Sequence, residues 1–289
     1  MSKKLRNLLL SYLIVIFYKI FQKMPWRLNL FIGVILSKIF YTFDFRYKPV
    51  AFRNIKFIFP EFSWKKIINI AKKCYENLGI NLMEFFLLKR VRYFYQKIVE
   101  FPFEDKKILK DFLKSNKSVI IFSAHFSNWE LLGCTLALEK FPLAVIARQV
   151  YIPLIGELVD KIRSSVGEIV VNRNTKNSIR ELLYAIRNKY FIGVLVDQKI
   201  KGIDNIKIPF LGHEAETPVG FVEVAIKYKL PSVVGLIYRK KDRKYTVKII
   251  PVDTDCYNDK VKFAKFINDT ISQYILRYPE QWVWIHKRW

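Results

Sequence analysis

His125 stands in the stretch SAHFSNWELLG, residues 123–133, directly behind the apolar run SVIIF, and is one of three histidines in 289 residues. Glu130 follows it five positions later. On a single helix, five residues at 3.6 per turn point about 140° apart, so the two could not share a helical face. They converge if His125 ends a strand and Glu130 opens the next helix. An imidazole that donates one N–H to a carboxylate has its tautomer fixed, and its other nitrogen is free to take a proton from a hydroxyl. The carboxylate also raises the basicity of the ring. A plainer reading runs beside this one. Ser127 and Glu130 have the spacing of a capping box, which would only tie down a helix N-terminus, and His125 would then be an ordinary loop histidine. No G-x-S-x-G or comparable nucleophile motif accompanies the pair, so the hydroxyl to be activated is the substrate's own.

The elements that must position these residues follow from periodicity. Residues 44–100 read as helical, with an amphipathic helix over 63–90 capped by Ser63. From residue 118, short β-rich runs alternate with helices. SVIIFSA, PLAVIAR, EIVVN and YFIGVLVD are strands; NWELLGCTLALEKF, PLIGELVDKIRSSVG and NSIRELLYAIRNK are helices. A loop containing IPFLGHEAE leads to a helix in TPVGFVEVAIKYK, with Thr217 as cap and Pro218 in its first turn. Two further strands and a helix near 258–277 finish the chain. The alternation predicts an α/β fold: an open, mostly parallel sheet with helices on both faces. Ligands bind such sheets beyond the carboxyl ends of the strands. The strand ends deliver His125, then Arg148, then Asn172 and Arg173, then Asp197 and Gln198. These four groups form a candidate rim.

Composition bounds the partners. Fifty Lys plus Arg against 25 Asp plus Glu gives a formal charge of +25. Such a surface attracts polyanions: nucleic acid, anionic headgroups or phosphorylated substrates. No nucleic-acid-binding motif accompanies the charge, so no nucleic-acid partner is expected. The three cysteines are odd in number and far apart with no Cys-x-x-Cys pair, which argues against a disulfide framework or a structural zinc site and fits a reducing compartment. At the N-terminus a basic head, MSKKLRN with Lys3, Lys4 and Arg6, precedes the apolar run LLLSYLIVIFYKIF, with no small-x-small cleavage site behind it. That favours an uncleaved membrane anchor. Residues 5–22 would give a helix of roughly 27 Å, marginal for spanning. The second segment, 26–43, is also broken by a lysine, so both segments can instead lie in the interface. Residues 1–43 are thus read as membrane-associated helices and 44–289 as the catalytic domain.

His-x4-Glu behind a strand, in the setting SAHFSNWELLG, resembles the catalytic motif of the bacterial lipid A late acyltransferases, the lauroyl/myristoyl transferase family. The blocks RQVYIPL (148–154), VNRNTKNSIRELLYAIR (171–187), VLVDQ (194–198), IPFLGHEAETPVG (208–220) and YPEQWVWIHKRW (278–289) extend the resemblance over roughly the whole chain. It implies transfer of a fatty acyl group from acyl carrier protein to a hydroxyl of a lipid A precursor, in lipopolysaccharide biosynthesis at the cell inner membrane, with the catalytic domain on the cytoplasmic side. It implies His125 as general base, Glu130 as its orienter, and Arg148 and Arg173 as holders of acceptor phosphates or of the oxyanion. Asp197 would order the rim. No metal, organic cofactor or covalent acyl-enzyme is implied. A phospholipid or glycolipid acyltransferase with the same base and another acceptor stands as the alternative, and a non-catalytic membrane scaffold behind it.

Overall fold

The computed structural model describes residues 3–173, 175–200 and 202–289. Met1, Ser2 and Asn174, which fall in stretches quoted above, lie outside the described residues, as do the side chains of Lys3 and Lys4. Helices come first: α1 (Lys3–Lys23), α2 (Trp26–Phe43), α3 (Lys48–Ile58), α4 (Trp64–Phe86) and the single turns α5 (Leu88–Val91) and α6 (Tyr95–Ile98). Then follow β1 (Val99–Glu100), α7 (Phe103–Lys114), β2 (Val119–Ser123), α8 (Trp129–Leu138), β3 (Leu143–Arg148), α9 (Pro153–Ser164), β4 (Ile169–Arg173), α10 (Ser178–Arg187) and β5 (Phe191–Leu195). The chain ends with β6 (Asn205–Phe210), β7 (His213–Pro218), α11 (Gly220–Tyr228), β8 (Ser232–Arg239), β9 (Tyr245–Pro251) and α12 (Lys260–Arg277).

The main sheet has seven strands in the order β1-β9-β8-β2-β5-β3-β4. Every neighbouring pair is parallel except β8 with β9. Side chains of a strand alternate between faces, and β2 shows this directly. Ile120 and Phe122 enter a core shared with α3, α4, α11 and α12. Val119 and Ile121 enter one shared with α7, α8 and α9. All five residues of β2 are buried, as an uninterrupted apolar run covered by helices on both sides should be. The sheet is therefore the α/β scaffold that the alternating pattern predicts.

Three expectations shift. The loop containing IPFLGHEAE is a hairpin: β6 and β7 pair antiparallel, with Ile206 opposite Thr217. Thr217 and Pro218 therefore belong to a strand, not to a helix start. Proline has no N–H to donate, so it ends the strand, and α11 begins two residues later at Gly220. The stretch read as helical to residue 100 closes in β1, which pairs with β9.

At the N-terminus, α1 is long and apolar enough to cross a membrane by length and composition, and little of it is buried. The second segment, α2, joins α3 at a bend of 90°. One face of α2 packs on α4 so closely that a Cβ on Gly33 would lie 2.6 Å from the Gly79 carbonyl oxygen. Its opposite face leaves Phe31, Phe40 and Phe43 exposed. α2 is thus half core and half outward-facing, which reconciles its apolar run with its lysine.

Candidate active site

Parallel pairing of β2 with β5 sets Ser123 opposite Leu195. His125 and Asp197 each lie two residues past that pair, so one sheet edge delivers both. The His125 Nδ1 and Asp197 Oδ1 atoms are 2.9 Å apart. Asp197 is buried, and the Trp282 indole N–H donates to its other oxygen, Oδ2, at 2.8 Å. Burial alone would raise the Asp197 carboxyl. The His125 charge, the hydrogen bond from its ring and that from Trp282 outweigh burial and hold it below the ordinary carboxylate range. The imidazole is about a quarter exposed (27 %), and no described residue hydrogen-bonds Nε2. Such a group can accept a proton from an incoming hydroxyl.

The backbone around His125 is held from several sides. Ser127 adopts a left-handed conformation, φ +51°, which an L side chain rarely takes without support. Its carbonyl accepts from the Asn81 amide, and its N–H donates to the Gln281 carbonyl at 2.6 Å. Asn81 in turn accepts from Arg239 at 3.1 Å. The N-cap of α8 is Asn128, whose Oδ1 accepts from the Leu131 N–H at 3.0 Å while its amide donates to buried Glu84 at 2.6 Å. The Ser127–Glu130 capping box does not form, because the left-handed turn at Ser127 places the cap one residue later.

Glu130 opens α8 as anticipated, but its carboxylate faces a guanidinium. Arg163, on α9, donates through Nε to Oε2 at 3.0 Å and through Nη2 to Oε1 at 2.6 Å. The Trp129 indole N–H also donates to Glu130 Oε1, at 3.2 Å, and the Trp129 ring meets the His125 ring edge-on at 5.1 Å between centroids. The hydrogen bond expected between Glu130 and His125 is replaced by the one that His125 makes to Asp197. Glu130 reaches the imidazole only through the wall that Trp129 makes. Behind the Glu130–Arg163 pair lies Glu168, fully buried, whose Oε1 has no hydrogen-bond partner among the described residues. Burial first, and the Glu130 charge second, push the Glu168 carboxyl far above its ordinary value, so it keeps its proton.

Arg148 and Arg173 end β3 and β4 and are directly opposite each other in register. Burial and the Arg148 charge lower the Arg173 guanidinium from its usual value. Neither arginine pairs with a carboxylate among the described residues. Two adjacent cations without a counter-charge, on the same edge as His125, make a receptive place for an anion.

Sequence reading did not single out Trp282 or Arg163, or pair Asp197 with His125. Each lies more than thirty residues from the group it holds, and only sheet register and helix packing bring them together. His286 belongs to the same end of the chain: burial, and after it the charges of His125 and Arg288 against that of Asp197, lower its imidazole. Arg288, buried beneath Phe210, is brought down to about 10. Among the described residues no group of three or more His, Cys, Asp or Glu side chains could hold a metal ion.

Fold and site together define an α/β protein whose sheet edge carries a His–Asp pair beside a cationic rim. The chain belongs to the bacterial lipid A biosynthesis acyltransferases, which it matches over residues 1–289. It is 23 % identical over 275 residues to a lipid A biosynthesis palmitoleoyltransferase of Escherichia coli K12, covering 92 % of this chain and 86 % of the relative. A lipid A biosynthesis lauroyltransferase of the same strain is 21 % identical over 277 residues, with the same coverage.

Proposed function

We propose that this acyltransferase moves a fatty acyl group from an acyl carrier protein thioester to a hydroxyl of a lipid A precursor. His125 Nε2 removes the hydroxyl proton as the oxygen attacks the thioester carbonyl. Asp197 holds the Nδ1 proton and steadies the imidazolium that forms. As the tetrahedral intermediate collapses, the carbon–sulfur bond breaks. The departing thiolate takes the proton back from Nε2, leaving an ester and a free carrier thiol. No acyl-enzyme is needed. Arg148 and Arg173 grip the anionic headgroup or the oxyanion. Glu130 and Arg163 fix the Trp129 wall of the imidazole.

The observation that carries this reading is the His125–Asp197 hydrogen bond at the strand edge that also bears the two unneutralised arginines. Family membership and the names of the relatives, a lauroyl- and a palmitoleoyltransferase of lipid A, support a fatty acyl donor and a lipid A acceptor. The exposed apolar faces of α1 and α2 support attachment of residues 1–43 to the inner membrane, with 44–289 on the cytoplasmic side, where carrier protein is made. Mass spectrometry of lipid A from a deletion strain tests the proposal: a species lacking one secondary or primary acyl chain is expected. Unchanged lipid A with altered phospholipid or glycolipid acylation would favour the other acceptor class.

A further inference from the structure

Residues 279–289 run beside the His125 loop and join it as a third support. The Val283 N–H donates to the His125 carbonyl at 3.2 Å, and Phe126 and Trp282 form an antiparallel bridge. Gln281, the residue before, is anchored at both ends of its amide by the Arg239 backbone, at 2.8 Å each. Trp282 is therefore fixed along the chain, and its ring is fixed by packing on Phe210 and Trp284 at 5.5 and 4.7 Å between centroids. It is 1 % exposed. The one polar atom of this buried ring points its proton at Asp197 Oδ2.

The terminal torsion of an aspartate is broad and roughly two-fold, so a carboxylate held at one oxygen can still turn. Held at both, it cannot. We propose that Trp282 is a positioning residue for acyl transfer: its indole N–H locks Asp197, so that His125 keeps its proton on Nδ1 and offers a bare Nε2 to the acceptor hydroxyl. This role rests on His125 being the base. A donor on Oδ2 also makes the carboxylate a weaker proton acceptor. Without it, the proton affinity of the coupled His125–Asp197 pair rises, and the pair stays protonated to higher pH.

The test uses the full-length protein with two replacements of Trp282. One is phenylalanine; the other is benzothienylalanine, which keeps the two-ring shape and replaces N–H by sulfur. Both should lose on the order of ten- to a hundredfold in kcat with little change in KM, as for a lost hydrogen bond to a charged group. Both should move the acid limb of the kcat–pH profile to higher pH, and the loss should nearly vanish in an Asp197→Asn background. A benzothienyl variant with the parent kcat and acid limb overturns the proposal. So does a loss that simply multiplies with that of Asp197→Asn, which would make Trp282 a packing residue only. His125→Ala separates the two readings: if it abolishes activity while the benzothienyl variant is indifferent, the base stands and Trp282 alone is set aside. If His125→Ala keeps activity, the base reading fails and the Trp282 role fails with it.

Discussion

Two carboxylates lie on the two sides of the SAHFSNWELLG turn, and their partners divide the labour. Asp197 sits on the strand side, buried, with an imidazole on one oxygen and an indole on the other. Glu130 sits on the helix side, clasped by both prongs of a guanidinium. An imidazole changes its protonation near neutral pH, so a carboxylate bound to it can take part in proton transfer. A guanidinium does not, so the Glu130–Arg163 pair is a fixed strut. Identical chemistry in the acid is given different work by what it touches.

The largest effect that would sharpen this contrast is on turnover. His125→Ala should cut kcat by roughly 10²–10⁴-fold. Asp197→Asn should fall within the same range, with far-ultraviolet circular dichroism unchanged. If Asp197→Asn retained full activity, the strand-side carboxylate would be no more than structural.

On the helix side the effect should appear in stability first. Glu130→Ala strips the partner from Arg163, whose side chain is 16 % exposed, so the loss should approach the roughly 3–5 kcal/mol of a broken buried pair. Denaturant titration should record this, while Glu130→Gln, which can still accept from Arg163, should retain most of both stability and turnover. An active-site collapse in Glu130→Gln with an unaltered unfolding midpoint would break the division of labour.

The rim comes next. Arg148→Lys or Arg173→Lys should lose about 1.5–3 kcal/mol on a phosphorylated acceptor, because lysine cannot match a phosphate with a planar fork. On a dephosphorylated analogue the loss should be much smaller. Equal losses on both would assign the arginines to the oxyanion or to structure.

The smallest effect concerns Glu168, behind the strut. Its carboxyl is raised by burial and by Glu130, so the folded state binds a proton that the unfolded state releases near the ordinary value of about 4.3. Its contribution to stability is full below that value and is lost as pH rises toward the folded value. Glu168→Gln does not titrate and should flatten the decline above the ordinary range. Thermal midpoints from pH 5 to 7 would show parallel curves if Glu168 were ionised throughout.

The contrast also explains what could be read from the chain alone. The parallel sheet was legible because β2, β3, β4 and β5 are short apolar runs separated by amphipathic helices. Their polar ends followed directly, which is how His125, Arg148, Arg173 and Asp197 reached one rim. The partner of His125 was not legible. Glu130 is near in sequence, whereas Asp197 becomes near only once Ser123 and Leu195 are in register. The hairpin at 205–218 was hidden by Thr217 and Pro218, which have the composition of a helix start and the pairing of a strand end. Trp282 comes from the far end of the chain, and an indole among aromatic residues carries no mark of its hydrogen bond.

The most direct test of the account is the protonation of His125 itself, read by nitrogen-15 chemical shifts of labelled histidine at neutral pH. The Asp197 contact predicts that the uncharged ring carries its proton on Nδ1 and leaves Nε2 bare, a tautomer preference lost in Asp197→Asn and kept in Glu130→Gln. A spectrum that changes with Glu130→Gln and is indifferent to Asp197→Asn would contradict it.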